Sequence, residues 1–195
     1  MRKIIVIAIF LLILILYPVS VDASKKFRVF EGSSFETYLS SGSKGEQEEL
    51  LLRIKTLSPS KVFTDKAKKI HLPSSSVLAV VASMSCPDCT AVIPYIYALK
   101  QLNNQLDIRF YTKTDDMSLL LLQMTKNNRV PTIMIVTSNG NRIGEAFIER
   151  PEKVRKLILQ AKVEDVNAIV TDFRNGEYDS DIENDLLRIL ESAWN

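Results

Sequence analysis

The sequence predicts an α/β fold in which helices flank one central mixed β-sheet. The middle of the chain alternates short β-branched runs with stretches whose apolar residues recur at helical spacing. The first runs are separated by crossovers long enough to hold helices, whereas the last two are joined through the turn dipeptide Asn139-Gly140. Long crossovers suit parallel neighbours and tight hairpins suit antiparallel ones, so the sheet is mixed.

With 195 residues, 46% of them hydrophobic, the chain supports one well-buried core with appended helices rather than two full domains. Its formal charge is +2 and the basic residues are scattered, which argues against a nucleic-acid partner. At the front, Arg2 and Lys3 precede an apolar run from Ile4 to Tyr17, then Pro18 and the sequence Val21-Asp22-Ala23. That order is a secretory signal, residues 1–23, with a cut after Ala23. As a helix the apolar run would reach about 21 Å, short of a hydrocarbon core of about 30 Å. Cleavage is therefore expected, and an uncut segment would serve as an N-terminal anchor. Either way the remainder is placed outside the cytoplasm, secreted or on the outer face of the cell membrane. Losing Arg2, Lys3 and Asp22 leaves the mature chain close to neutral.

Residues 24–72 read as an N-terminal helical extension. Ser33 and Glu36 have capping-box spacing, and two short helices are expected on either side of a break at Ser40 to Gly45. Leu50, Leu51, Ile54 and Leu57 fall on one helical face. Lys61, Lys66, Lys68 and Lys69 make a basic linker, and His71, the one histidine, stands in it with no acid or thiol adjacent in sequence. It reads as a loop histidine.

The core is expected over residues 73–163. "SVLAVVAS" from Ser76 has no polar alternation, as in a strand buried on both faces. Cys86 and Cys89, the two cysteines of the chain, follow it, and Pro87 suits the first turn of a helix continued by Val92, Ile93, Ile96, Leu99 and Leu102. Then come the strand "DIRFYTK", a helix capped by Asp115 or Asp116, and the hairpin "PTIMIVTSNGNRIGEAFIE". One long helical segment is expected from Pro151 to Phe173. The C-terminal extension, residues 164–195, ends in a helix from Ile182 to Ala193 after the break "RNGEYDSD".

The cysteine pair has three readings. A disulfide across two residues closes so short a loop that it contributes only about 2 kcal/mol, against about 5 for a loop of 100. A metal site needs three or four ligands, and the chain offers no third cysteine. A redox pair fits the position. A thiol in the first turn of a helix meets the positive end of its dipole, which favours the thiolate that attacks disulfides. Cys86 would then be the exposed nucleophile and Cys89 the shielded resolving thiol.

"SCPDCTAVIPYI" together with Pro131 at the head of "PTIMIV" resembles the thioredoxin fold family. The likeness narrows, through "IERP" at 148–151 and "FRNGEY" at 173–178, to a bacterial thioredoxin-like subfamily with extra N-terminal helices and a C-terminal helix. The resemblance implies a cis Val130-Pro131 bond packed against the cysteines, a helix proline at Pro94, and a substrate edge at Val130 and Thr132. Pro87, Asp88 and Pro131 would shape the active site. Two positions depart from the family: Ser85 replaces the tryptophan usual before the first cysteine, and the preceding strand, around Val80, lacks a buried acid.

The implied activity is that of an exported thiol-disulfide oxidoreductase acting on disulfide- or thiol-bearing proteins, without a dissociable cofactor. A redox partner, membrane-bound or not, would reset the pair. Asp88 beside Cys86 disfavours the thiolate by like-charge repulsion, which leans the reading toward a reductant or isomerase; an acid in a first turn also simply favours the helix. The rivals are a redox-inert thioredoxin-like binding module for a protein partner, and metal delivery through the two thiolates.

Overall fold

A computed structural model of the chain describes residues 29–194, so the segment read as a signal, residues 1–23, lies outside the described residues. Four strands, β1 (Ser76–Ala82), β2 (Ile108–Thr112), β3 (Thr132–Thr137) and β4 (Arg142–Ile148), form one sheet in the order β2-β1-β3-β4. β1 runs parallel to β2 and antiparallel to β3, and β3 and β4 form an antiparallel hairpin. The mixed sheet is thus the one expected, and Gly140 supplies the positive φ of 79° that the hairpin turn requires.

Among the described residues eight α-helices surround the sheet: α1 (Phe35–Ser40), α2 (Lys44–Thr56), α3 (Lys61–Ala67), α4 (Pro87–Leu102), α5 (Asp116–Met124), α6 (Glu152–Gln160), α7 (Val163–Asn175) and α8 (Asp179–Glu191). Every residue of β1 is buried because both faces are covered. Its side chains alternate between two cores. Leu78, Val80 and Ala82 join Tyr38, Phe63, Val154 and Phe173 on the face that carries most of the helices, while Val77, Ala79 and Val81 meet Leu121 and Leu122 of α5 on the other. Fully burying one such aliphatic side chain contributes about 1.5–3 kcal/mol.

Local details depart from the sequence reading where backbone geometry outweighs spacing. Ser33 and Glu36 form no capping box. Ser34 caps α1 through Thr37 N–H, and Ser33 instead exchanges two backbone hydrogen bonds with Phe110 of β2, at 2.8 and 2.9 Å. The reciprocal box lies at Ser43 and Glu46, at the start of α2. Leu50 of α2 is buried, but Leu51 is 45% exposed.

The lysine-rich linker is largely a helix. Ser60 caps α3 by accepting from Phe63 N–H at 3.1 Å, and Phe63 and Ala67 go inward while the lysines stay exposed. His71 is in a loop and exposed, as read.

The stretch from Pro151 to Phe173 is two helices. Extended backbone at Ala161 and Lys162 turns the chain, so that Val154 of α6 and Phe173 of α7 are both buried in the same core. Gly176, at φ 100°, ends α7 in the left-handed conformation and lets α8 begin at Asp179, ahead of the expected Ile182. Among the described residues no helix is long and apolar enough to cross a membrane.

Candidate functional site

The end of β1 delivers Cys86 to the N-cap of α4, with Pro87 in the first turn, where its missing N–H costs no helical bond. The carbonyl of Cys86 accepts from Cys89 N–H at 2.9 Å and Thr90 N–H at 3.1 Å, so the two cysteines are one turn apart. Both are free thiols, Cys86 half-buried and Cys89 only 1% exposed. The Cys86 thiol donates to the Val130 carbonyl at 3.5 Å, and the Val130-Pro131 bond is cis. Cys86, Cys89, Pro87, Val130 and Pro131 therefore share one site. Thr132 is fully buried and its hydroxyl donates to the Arg129 carbonyl at 2.6 Å, so its side chain is withdrawn from the surface expected to meet a substrate.

The two sulfurs differ in acidity. A hydrogen bond from the Cys89 thiol lowers the Cys86 pKa to about 7, helped by the backbone N–H groups of Cys89 and Asp88 and opposed by burial and by the Asp88 charge. Burial, followed by the neighbouring Cys86, pushes Cys89 well above the ordinary thiol range. Deprotonation thus falls first on the sulfur nearer solvent.

Asp88 corrects the simple repulsion argument. Its side chain is 5% exposed and sits between two guanidiniums, with Arg150 Nη2 at 2.5 Å and Arg174 Nε at 2.6 Å. The carboxylate still opposes the thiolate, with its charge paired to both arginines. Arg150 also reaches Glu149 at 3.3 Å, and Arg129 reaches the same carboxylate at 3.0 Å. Glu149 adopts φ 61° and its N–H donates to the Pro131 carbonyl at 2.7 Å, which docks the segment after β4 onto the proline. The result is an open cleft of about 530 Å³ at Cys86, bordered by Asp88, Val130, Glu149 and four cations, Lys113, Arg129, Arg150 and Arg174.

Spacing along the chain did not disclose this cluster, although Arg150 lies in "IERP" and Arg174 in "FRNGEY", the two stretches singled out for other reasons. A lone acid between two cysteines was the available signal, since a buried carboxylate needs a cationic partner. Tyr38 of α1 was also missed. It is buried against Phe110, and its hydroxyl is made a weaker acid by burial and then by the charges of Cys89 and Cys86. It belongs to the same buried cluster as Cys89, and β1 itself offers no ionisable side chain. His71 borders a separate cleft with Lys66 and Lys69. Among the described residues no group of three or more His, Cys, Asp or Glu could hold a metal ion.

Sheet order, cis proline and a dithiol at a helix N-terminus define a thioredoxin-like α/β protein. A thioredoxin family model matches residues 32–166, and the chain belongs to that family. Solved structures of the same fold include a Pseudomonas aeruginosa protein of unknown function, 21% identical with a TM-score of 0.64 over 88% of this chain and 98% of that one. An HIV epitope-scaffold is also 21% identical, with a TM-score of 0.64 over 87% and 97%. At that identity the likeness is one of fold. No curated protein matches the chain.

Proposed function

We propose that the chain is an exported thiol-disulfide oxidoreductase. The observation that carries the reading is the geometry of the pair, a half-buried Cys86 thiol at the N-cap of a helix with a buried Cys89 thiol one turn on; the Cys86 pKa lowered to about 7 and the raised pKa of Cys89 agree with it. The Cys86 thiolate attacks a substrate disulfide; a Cys86–substrate bond forms as the substrate S–S bond breaks, and the departing sulfur leaves as thiolate. Cys89 then gives up its proton and attacks Cys86, closing the protein disulfide and releasing the second substrate thiol. Two electrons pass from the protein to the substrate, and an external dithiol must return them.

A nucleophile near 7 falls at the reducing end of the thioredoxin-fold range, far from the strongly acidic thiol of disulfide-forming oxidants. This favours a reductant or isomerase. Export rests on residues 1–23, and with it comes a need for a thiol donor outside the cytoplasm, membrane-bound or soluble, since that compartment holds disulfides oxidised. The narrower likeness to a bacterial subfamily belongs to the same proposal.

Equilibration of the purified protein against glutathione and dithiothreitol buffers tests it. A potential near roughly −270 mV makes it a reductant and one near roughly −120 mV an oxidant. Disulfide exchange should be lost in Cys86→Ser. A pair that cannot be cycled in the folded protein would refute the reading and leave a redox-inert binding module.

A further inference from the structure

We infer that the cleft at Cys86 is a carboxylate-recognising subsite, so that preferred substrates carry an acidic group beside the sulfur that Cys86 attacks. The inference rests on the oxidoreductase reading and names its substrate class.

Four cations and two acids border the cleft. Asp88 is held by Arg150 and Arg174, and Glu149 by Arg129 and Arg150. The acids fix the guanidiniums in place and leave two positive charges in excess, within a chain whose whole formal charge is only +2. Neutralising Asp88 does not account for the cluster, because Lys113 and Arg129 do not pair with it. Lys113 is exposed and makes no ion pair among the described residues, and the Arg129 side chain is 62% exposed with one ion pair. Such guanidinium and ammonium groups offer free donors to a planar carboxylate. The same cleft is bordered by Cys86 and Val130, so an anion bound there belongs to the molecule whose disulfide is being opened.

The chemistry follows the balance already given. With the substrate carboxylate on the cations, the Cys86 thiolate forms its bond to the adjacent sulfur as the S–S bond breaks. The departing thiolate takes a proton from water, and Cys89 closes the protein disulfide. In the assay, dithiothreitol supplies the two electrons that restart the cycle.

The test uses peptide disulfides that differ only in the residue flanking one cysteine, Glu, Gln or Lys, with glutathione disulfide as a small carboxylate-bearing probe. Exposed ion pairs are individually weak, so kcat/KM should favour Glu over Lys by only about tenfold at low salt, with Gln between. The ratio should shrink as salt screens the charges and should fall to within about threefold in Lys113→Gln/Arg129→Gln. Lys113→Glu, at an exposed side chain with no ion pair, should also lower it if the double variant folds poorly. Fast turnover of glutathione disulfide would assign the carboxylate to a small molecule, and slow turnover beside a fast Glu peptide would assign it to a polypeptide. Equal rates for Glu and Lys peptides, or a preference that survives both variants, overturns the subsite while leaving the oxidoreductase reading standing. Failure of every substrate overturns that reading and the subsite with it.

Discussion

Arg150→Ala removes the more enclosed of the two guanidiniums on Asp88. The carboxylate is 5% exposed and Arg150 14%, at 2.5 Å, and taking one partner from a buried pair costs about 3–5 kcal/mol. One feature pulls toward the lower end: Arg174 still holds the other oxygen at 2.6 Å. The expected cost is about 3 kcal/mol. Arg174 is 40% exposed; water replaces it, and Arg174→Ala should cost about 1 kcal/mol. Urea unfolding, with the midpoint shifting at constant slope, reads the difference. Asp88→Asn in the Arg150→Ala background should recover half the loss or more, because no charge is then left buried. Equal losses for the two arginines, or a further loss on adding Asp88→Asn, would refute the view that Asp88 is a buried anion held chiefly by Arg150.

The remaining expectations concern single positions. Cys89→Ala removes the thiol donor to Cys86, so the pH at which alkylation of Cys86 reaches half its maximum should rise from about 7 toward the ordinary thiol value; an unchanged midpoint would show that the backbone N–H groups suffice. In the wild type that rate should fall as pH drops below about 7, since the thiolate is the reacting form. Asn103 is buried and donates to the Ala67 carbonyl at 3.0 Å and the Ile70 carbonyl at 2.6 Å. Asn103→Ala should therefore lower unfolding free energy by about 2–3 kcal/mol, and a loss under about 1 kcal/mol in urea would count against those bonds. Gly144 has φ 64°, and an added Cβ would run into Ser192 Oγ. Gly144→Ala should cost about 1–2 kcal/mol from backbone strain alone, seen as a lowered Tm; an unchanged Tm would mean that β4 shifts freely away from the C-terminal turn.

Elements governed by a single period or a single chemical preference were readable in the chain. The unbroken apolar run of β1, Pro87 after Cys86, and the Asn139-Gly140 turn each have one local solution, and the structure adopts it. Where two local solutions compete, the tertiary setting decides. Ser33 and Ser34 both suit an N-cap, and Ser33 is drawn away by the free backbone of β2. The periodicity from Pro151 to Phe173 is continuous in sequence, yet one straight helix would carry Phe173 out of the core that Val154 occupies. The thiols could be placed because helix polarity is local. Arg150 and Arg174 are brought to Asp88 by a strand–helix corner and by packing of α7, which no window of sequence contains. Tyr38 joins the buried cluster that holds Cys89 for the same kind of reason, from a helix that precedes the sheet.

The two outer strands are each closed by a segment from a different end of the chain. On β2, Ser33 takes both hydrogen-bonding groups of Phe110. On β4, Glu145 N–H donates to Ser192 Oγ at 3.2 Å, and Arg188 of α8 pairs with the Glu145 carboxylate. An outer strand with open N–H and C=O groups is a template for another copy of the same strand. The flanking segments therefore act as stoppers against self-association. Residues 73–163 released alone, by a protease or by truncation, would keep all four strands and bare both margins of the sheet. Such a fragment should be prone to stacking sheet edge against sheet edge, so the segments flanking the sheet would guard its margins as well as pack its faces.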